Sequence, residues 1–498
     1  MNPDGIQRGA ADEAAARPWG LAALTDRRLR SERVLEDCAF RRQRWIDANR
    51  CYYDAVKRLL RFVVPRGQRV LMFRSDTGDL LAGLGPSHGV GVEISARILE
   101  VARKRHPDLQ FVRAFPDLAQ PLGVGEQFDS VVLANTNDTV DVLQAMKNAR
   151  HHCHERGRLV IYTGNALWAP LVRLAEVLGM KVGAVEPNWL SEGDLKNLLA
   201  LSGFEWLKTY RSVLVPVYVP VLGWLLNRVV AKCPLLDRLC LVTVMVARPV
   251  PSPVSVASVG VSVIVPCRNE VGNIADAIRR IPEMGAGTEI IFCDDKSDDG
   301  TAEEVARLIR EHPERDIKLV AGPGICKAEN VWTGFRAARG DVLMILDADL
   351  TTIPEELPGF LEALASGTGD FINGSRLVYP MPAKAMNTMN MLGNKGFSIL
   401  FNYVLGQTVK DTLCGTKVIW RTDWPRYEAL LGSWGISDRW GDYELLFGAA
   451  KLHHKIVDLP VHYQERIHGL TKMTRVFYNG LRMLRMCVHG FIGLRLNY

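Results

Sequence analysis

Two acidic groups in the second half of the chain, Asp294-Asp295 and Asp347-Ala348-Asp349, each follow directly on a short apolar run, EIIFC and VLMIL. In an open parallel sheet the carboxyl ends of the strands meet at the ligand crevice. A D-x-D just past such a strand can present two carboxylates to one hard cation, which in turn bridges the oxygens of a diphosphate. Carboxylates alone repel a diphosphate, so this chemistry requires the metal. The plain alternative is that an acid at a strand end caps the next helix. It suits one such pair; two pairs on successive crevice strands shift the balance toward the crevice. Asp298 and Asp299, just before Gly300, read as turn residues.

The elements that must position these groups are legible as apolar runs. From Arg69 short strands alternate with helical stretches: RVLMF, GVGVEI, LQFVRA, DSVVLAN and RLVIYT, closed by LVTVMVA near Ala247. Such alternation predicts a doubly wound α/β sheet. Residues 248–260, with Pro249, Pro251 and Pro253 and three serines, break both periods and read as a linker. A second α/β unit follows, with strands VSVIVPC, EIIFCDD, IKLVAG and VLMILDAD and helices near Ile274–Arg280, Ala302–Glu311 and Ala328–Arg339. Thr301 and Glu304 have the capping-box spacing for the start of the second of these helices. Residues 1 to about 30 are an Ala- and Arg-rich arm, and Arg27 to about Leu60 reads as a helix with a basic face.

The 498 residues exceed one hydrophobic core, at roughly 100 to 200 residues per domain. A net charge of +6 without a recognisable reading module speaks against nucleic acid as a partner. Much of that charge lies at the end: Lys472, Arg475, Arg482, Arg485 and Arg495 fall in a stretch free of acids. Ten cysteines without paired spacing suit a reducing compartment, and the start, Met1–Gly20, carries acids and no apolar core of a leader, so the cytoplasm is expected. Ser212–Asn227 is uncharged but interrupted by Pro216, Pro220 and Gly223, and too short for the roughly 20 residues of a span. It reads as a core or interfacial segment. The cluster His151-His152-Cys153-His154 reads as a polar helix end before Gly157, since consecutive residues cannot all reach one ion.

In the order VSVIVPCRNE, CDDKSDDGT, ARGDVLMILDADL, DFINGSR, KDTLCGTK and RIHGLTK, the stretch from about Val261 to Met473 resembles family 2 glycosyltransferases of the dolichol-phosphate mannose synthase type, with the GT-A fold. The resemblance implies that a sugar moves from a nucleotide-diphosphate donor with the help of Mg²⁺ or Mn²⁺. It implies that Pro266 and Glu270 line the nucleotide pocket with Asp294 near base or ribose and Asp295 beside it, and that Asp347 and Asp349 bracket metal and diphosphate. Arg376, Arg466 and Lys472 then neutralise phosphate charge, as a guanidinium fork or an ammonium point charge can. Two positions depart from the pattern. Arg268 stands where the family usually has an aromatic, and Thr351 where some relatives offer a Gln to the metal.

Gly441-Asp442-Tyr443-Glu444 opens a helix where related enzymes carry an acidic acceptor-site motif, which makes Asp442, then Glu444, a base for a sugar hydroxyl. An acid that merely satisfies the helix dipole explains the motif equally well. A lipid phosphate acceptor, largely dianionic near neutral pH, needs cations instead of a base. If residues 473–496 are helical, Met473, Phe477, Leu481, Leu484, Val488 and Phe491 share one side, and Arg475, Arg482, Arg485 and His489 gather opposite. That pattern fits a helix on an anionic membrane surface and equally one docked on its own domain.

The stretch from about Asn49 to Pro249 resembles a class I S-adenosylmethionine-dependent methyltransferase. The resemblance implies that Glu93 holds the cofactor ribose and that a Gly-rich turn after the first strand cradles the rest. Here that turn reads Leu71-Met72-Phe73-Arg74-Ser75-Asp76-Thr77-Gly78, where only Gly78 keeps the pattern. The whole chain thus divides into an arm (1–48), a methyltransferase-like domain (49–249), a linker (250–260), a GT-A domain (261–472) and an amphipathic helix (473–498), two Rossmann-like α/β domains in all. The expected function is sugar transfer to a membrane-linked, polyprenyl-phosphate or lipid acceptor at the cytoplasmic face. The alternatives are a soluble acceptor with an active methyltransferase domain, and a silent sugar-nucleotide-binding scaffold.

Overall fold

The computed structural model describes residues 21–119, 122–177, 185–380, 388–466 and 476–498. The chain divides into two compact units, one of residues 1–250 and the other of residues 251–497, with the terminal Tyr498 grouped with the first.

The first unit opens with helices α1 (Leu21–Ala48) and α2 (Arg50–Val63), broken at Asn49, whose side-chain amide bonds the Trp45 carbonyl at 2.9 Å. One continuous helix had been expected here. Strands β1 (Arg69–Phe73), β2 (His88–Glu93), β3 (Gln110–Arg113), β4 (Phe128–Leu133), β5 (Cys153–Gly164), β6 (Phe204–Ser212) and β7 (Val242–Pro249) form one sheet in the order β3-β2-β1-β4-β5-β7-β6. β7 runs antiparallel to both its neighbours. Along β1, Val70 and Met72 enter one core and Leu71 and Phe73 the other. A strand buried on both faces loses polar alternation, which is why RVLMF reads as a continuous apolar run. β6, with Lys208 and Arg211 inside it, carries no such run and was missed. α3 (Ala169–Val177) follows β5. His151 and His152 end the helix Val142–His152, while Cys153 and His154 already belong to β5. This is the doubly wound α/β sheet expected of the first half.

The second unit holds β8 (Gly260–Cys267), β9 (Gly287–Asp294), β10 (Asp316–Ala321), β11 (Val342–Ile345), β12 (Phe371–Ser375), β13 (Lys417–Trp420) and β14 (Ile456–Pro460), ordered β10-β9-β8-β11-β13-β12-β14. β8 to β11 pair in parallel, and β13 runs against β11 and β12. This is the GT-A, Rossmann-like sheet. Val263 and Val265 face one core and Ile264 the other, so helices cover both sides. The helices that matter for the site are α4 (Lys327–Ala337), α5 (Thr388–Leu405), α6 (Asp442–Lys451) and α7 (Val476–Phe491).

Two local expectations are corrected. The helix Thr301–Glu311 has Gly300, at φ 89°, as its N-cap, with no side-chain cap bond. Asp299, read as a plain turn residue, accepts both the amide and the hydroxyl of Thr301 at 3.0 and 2.5 Å, and Glu304 pairs with Arg307 instead of closing a capping box. The C-terminal helix docks through Met483, Met486, Cys487 and, just beyond it, Leu494. Of the apolar side read from the sequence, Leu481, Leu484 and Val488 are exposed, with Ile492 extending them, while Phe491 packs on the core beside Tyr403. Met473 and Arg475 lie outside the described residues. No helix among the described residues is long and apolar enough to cross a membrane.

Candidate active site

The crevice lies at the carboxyl ends of β9, β8 and β11, around the point where the strand order reverses between β8 and β11. Leaving β11, Leu346 still donates to the Ile264 carbonyl at 3.0 Å, and the chain then turns through Leu350, at φ 52°, whose amide bonds Asp347 O at 3.1 Å. This turn exposes Asp347 and Asp349 to the crevice. Asp347 Oδ1 lies 2.5 Å from Lys327 Nζ at the start of α4, and Asp349 Oδ2 lies 2.5 Å from Arg466. Thr351 donates its amide and hydroxyl to Asp349 Oδ1 at 3.2 and 2.8 Å. The residue in the Gln position therefore orients the carboxylate. Gly415 is required here, because a Cβ on it would stand 2.3 Å from Asp347 Oδ2.

Burial raises the Asp349 pKa and the neighbouring Asp347 raises it further, against Arg466. Burial acts the same way on Asp347, but Lys327 outweighs it and holds that carboxyl below its ordinary value, with Lys417 and Arg376 adding to the effect. Two hard-oxygen carboxylates that repel each other in a low-dielectric crevice fit a divalent cation. Among the described residues no cluster of three or more His, Cys, Asp or Glu side chains is assembled. Two carboxylates would leave the remaining positions of a Mg²⁺ or Mn²⁺ ion to water or to a bound ligand.

At the carboxyl ends of the adjacent strands β8 and β9, Pro266 stands opposite Cys293 and Cys267 opposite Asp294. Asp294 Oδ2 accepts the Ser297 amide at 3.2 Å, whereas its Oδ1 is a buried acceptor without a partner among the described residues. Asp295 is used differently: Oδ1 accepts the Gly324 amide at 2.7 Å and Oδ2 faces Arg268 at 3.6 Å. It ties two loops of the crevice wall. Glu270 is buried, donates its amide to Thr301 Oγ1 at 2.9 Å and takes the Asn273 amide on Oε2 at 2.8 Å.

Asp442 opens α6 beside this centre. Its Oδ1 is 2.5 Å from Lys417 Nζ, which also donates to Cys414 O at 2.5 Å, and Asp442, Lys327, Gly415 and Trp440 line one hollow. The helix dipole needs no help from Asp442. Asp438 serves the helix start, accepting the amides of Tyr443 and Glu444 at 2.8 and 3.2 Å and that of Trp440 at 3.0 Å. Glu444 binds the Gly432 amide at 3.0 Å and is absent from the hollow's lining. Burial, aided by Asp438 and Glu329, pushes its carboxyl up to about 7.

Arg376 does not present its fork to the crevice in the way the motif suggested. Its Nε and Nη2 grip Asp411 at 2.7 and 2.9 Å, its amide adds a third bond at 3.1 Å, and the guanidinium stacks over Tyr463 at 5.2 Å. Asp411 is buried, so the pair organises the loop that carries Gly415 and Lys417. Lys472 lies outside the described residues. Lys327, Lys417, Asp411 and Asp438 were missed. Lys417 and Asp411 stand inside the quoted KDTLCGTK, but only the folded chain reveals their partners.

The corresponding crevice of the first unit does not fit S-adenosylmethionine. Arg74 and Asp76 hold φ of 58° and 53°, so the turn keeps glycine-like backbone while carrying side chains. Asp76 is gripped by Arg42 of α1 at 2.5 and 2.8 Å, and Arg74 lies buried, 3.9 Å from Glu93. The Glu93 carboxylate, expected at a ribose, accepts the amides of Asp76 and Ile94 at 3.1 and 2.7 Å. Gly78 is explained by packing, since a Cβ there would meet Phe111 at 2.8 Å. Calorimetry of the full chain is expected to show no binding of S-adenosylmethionine or S-adenosylhomocysteine, and a micromolar dissociation constant would contradict this.

Comparison with known proteins adds the following. Residues 262–423 match the family model "Glycosyl transferase family 2". A dolichol-phosphate mannosyltransferase of Pyrococcus furiosus is 38% identical over 120 residues, 24% of this chain and 33% of that protein. An undecaprenyl-phosphate 4-deoxy-4-formamido-L-arabinose transferase of Pseudomonas aeruginosa is 34% identical over 115 residues, 22% of this chain and 33% of that protein. The chain thus spans about a third of the length of these relatives. Among solved structures, a SAM-dependent methyltransferase of Thermotoga maritima, a possible histamine N-methyltransferase, aligns with 19% identity and a TM-score of 0.34, covering 44% of this chain and 99% of that one.

Proposed function

We propose, from the premise that the C-terminal half of this chain carries a glycosyl transferase family 2 domain, that the protein transfers a sugar from a nucleotide-diphosphate donor to a lipid-linked phosphate acceptor. The observation that carries this reading is the pairing of Asp347 and Asp349 at the end of β11 with two cations, Lys327 and Arg466, arriving from elsewhere in the fold. Asp347 and Asp349 would hold Mg²⁺ or Mn²⁺, which would supply charge neutralisation for the departing diphosphate. Pro266, Glu270 and the open oxygen of Asp294 receive the nucleoside. Asp295, Arg268 and Arg376 shape the walls.

The acceptor reading draws support from the printed names of the relatives, which act on dolichol phosphate and undecaprenyl phosphate. It draws further on Lys327, Lys417 and Arg466, held at the crevice by Asp347, Asp442 and Asp349, which suit a phosphate nucleophile that arrives already ionised. Asp442, held by Lys417, then orients that lysine and is not needed as a base. The exposed apolar strip Leu481, Leu484 and Val488, with Arg485 beside it, suits a helix at the cytoplasmic surface of an anionic membrane.

The test incubates purified full-length protein with labelled UDP- and GDP-sugars, Mg²⁺ or Mn²⁺, and a membrane lipid extract. Label is expected in the organic phase, and label only in water-soluble product would overturn the lipid acceptor. Asp442→Asn is expected to cost less than about tenfold in kcat on a phosphate acceptor. A loss of the 10²–10⁴-fold typical of a missing general base would instead assign a hydroxyl acceptor.

A further inference from the structure

The first unit carries an apolar surface that its own core leaves uncovered. Helix α3 buries none of its side chains. Leu167 just before it, then Leu171, Leu174 and Val177, are 54 to 81% exposed and recur at helical spacing along one side. Next to it runs the excursion between β6 and β7, residues 213–241. Here Tyr218, Val221, Leu222, Trp224 and Leu235 are 53 to 82% exposed. Hydrogen bonds join the two segments: Asn165 Nδ2 donates to the carbonyls of Arg238 and Cys240 at 2.8 and 2.9 Å, and Trp168 Nε1 to that of Leu239 at 2.8 Å.

The excursion is a built structure. Asn227 staples its base, accepting the amides of Leu214 and Val215 on Oδ1 at 2.7 and 2.8 Å and donating to Val215 O at 2.8 Å. Val221 and Leu235 are held at φ 56° and 73°, positions that cost a β-branched or bulky residue energy, and they point into solvent. An apolar patch of this extent on a chain's surface marks a membrane or a protein partner.

Charge decides between them. Residues 165–177 and 213–241 carry Arg173, Arg228 and Arg238, with Lys232 buried, against two acids, Glu176 and Asp237. Asp237 is paired with Arg211 at 3.1 Å. Aliphatic side chains with a Trp and a Tyr, rimmed by cations, match the interface of an anionic bilayer, where aromatic rings sit at headgroup level. We infer that α3 and the 213–241 excursion form a bilayer-docking surface of the methyltransferase-like unit, inserting Trp224, Leu222 and Leu235 beneath anionic phospholipid headgroups. The inference extends the lipid-acceptor reading, but it is tested by binding alone.

Cys233 stands exposed in the excursion and serves as the reporter, with the other exposed cysteine, Cys51, changed to Ser. Full-length protein labelled there with an environment-sensitive dye is mixed with phosphatidylcholine vesicles with and without phosphatidylglycerol. The expected result is a blue-shifted emission that doxyl-lipids quench. Partitioning should rise about fivefold for each engaged arginine on adding the anionic lipid. Trp224→Glu with Leu235→Glu should reduce binding at least about tenfold. The pair Leu481→Glu and Val488→Glu in α7 should leave the dye's response to bound vesicles in place. Vesicle binding with no spectral change at Cys233, or a self-association in sedimentation that Trp224→Glu abolishes, would overturn the proposal. Binding without sugar transfer would leave it standing and count only against the acceptor.

Discussion

Asp349→Asn is expected to lower sugar transfer by about three orders of magnitude, the scale of the several kcal/mol a metal contributes to transition-state charge. The chain should remain folded. Asn keeps an oxygen for the Thr351 amide and hydroxyl, so the turn after β11 retains its bonds. What is lost is the charge. The sign of the stability change follows from the raised pKa: burial and Asp347 disfavour ionised Asp349. Its favourable contribution is present below the unfolded Asp range and is lost as pH rises through the folded value. Near neutral pH the carboxylate is therefore a cost, offset in part by Arg466 and by the Thr351 amide and hydroxyl, and the amide should match or exceed wild type in Tm. Activity and thermal unfolding measured on one preparation check both halves. A folded variant with wild-type turnover contradicts the site assignment.

Asp411→Ala is expected to act in the opposite way, through the fold. Removing one partner of a buried ion pair leaves the other charge uncompensated, at about 3–5 kcal/mol. Here the loss also strips the acceptor from the amides of Arg376 and Leu413. Burial alone raises the Asp411 pKa, but Arg376 outweighs it and holds the carboxyl below its ordinary value. The pair's stabilisation is thus present above the unfolded Asp range and lost as pH falls through the lowered value. Urea unfolding at neutral pH should show the full loss. The apolar double change Arg376→Met with Asp411→Leu should recover part of it, since neither charge is then buried alone. A loss below about 1 kcal/mol for Asp411→Ala would return Arg376 to the crevice as a phosphate ligand.

What could be read in the sequence was whatever one strand or one helix decides by itself. RVLMF and VLMIL are apolar throughout because helices cover both faces of a central strand, and an acid just past such a run lies at the crevice whatever else the chain does. The D-x-D could be placed for that reason. β6 and β12 to β14 were not separable, because FEWLKTYRS and FINGS mix polar and apolar residues whose partners are distant strands. Arg376 shows the same limit at a single residue. Its type suits phosphate, yet the choice between phosphate and Asp411 depends on a loop about 35 positions away, since tertiary pairing overrides local type. Helix periodicity grouped Leu481, Leu484 and Val488 with Phe491 but could not say which face meets α5, and Phe491 docks together with Met483, Met486 and Cys487 while the other three stay exposed. At the first unit's turn the substitutions were legible in full. What the fold adds is that Arg74 and Asp76 keep positive φ and that Arg42 of α1 reaches Asp76.

The most direct test of the account is the metal dependence of nucleotide binding. GDP and UDP are titrated into full-length wild type and Asp349→Asn, with Mn²⁺ and with chelator. The account predicts binding of one of the two nucleotides by wild type that requires Mn²⁺ and disappears in the variant. Equal affinity in chelator, or undiminished Mn²⁺-dependent binding by Asp349→Asn, would contradict it.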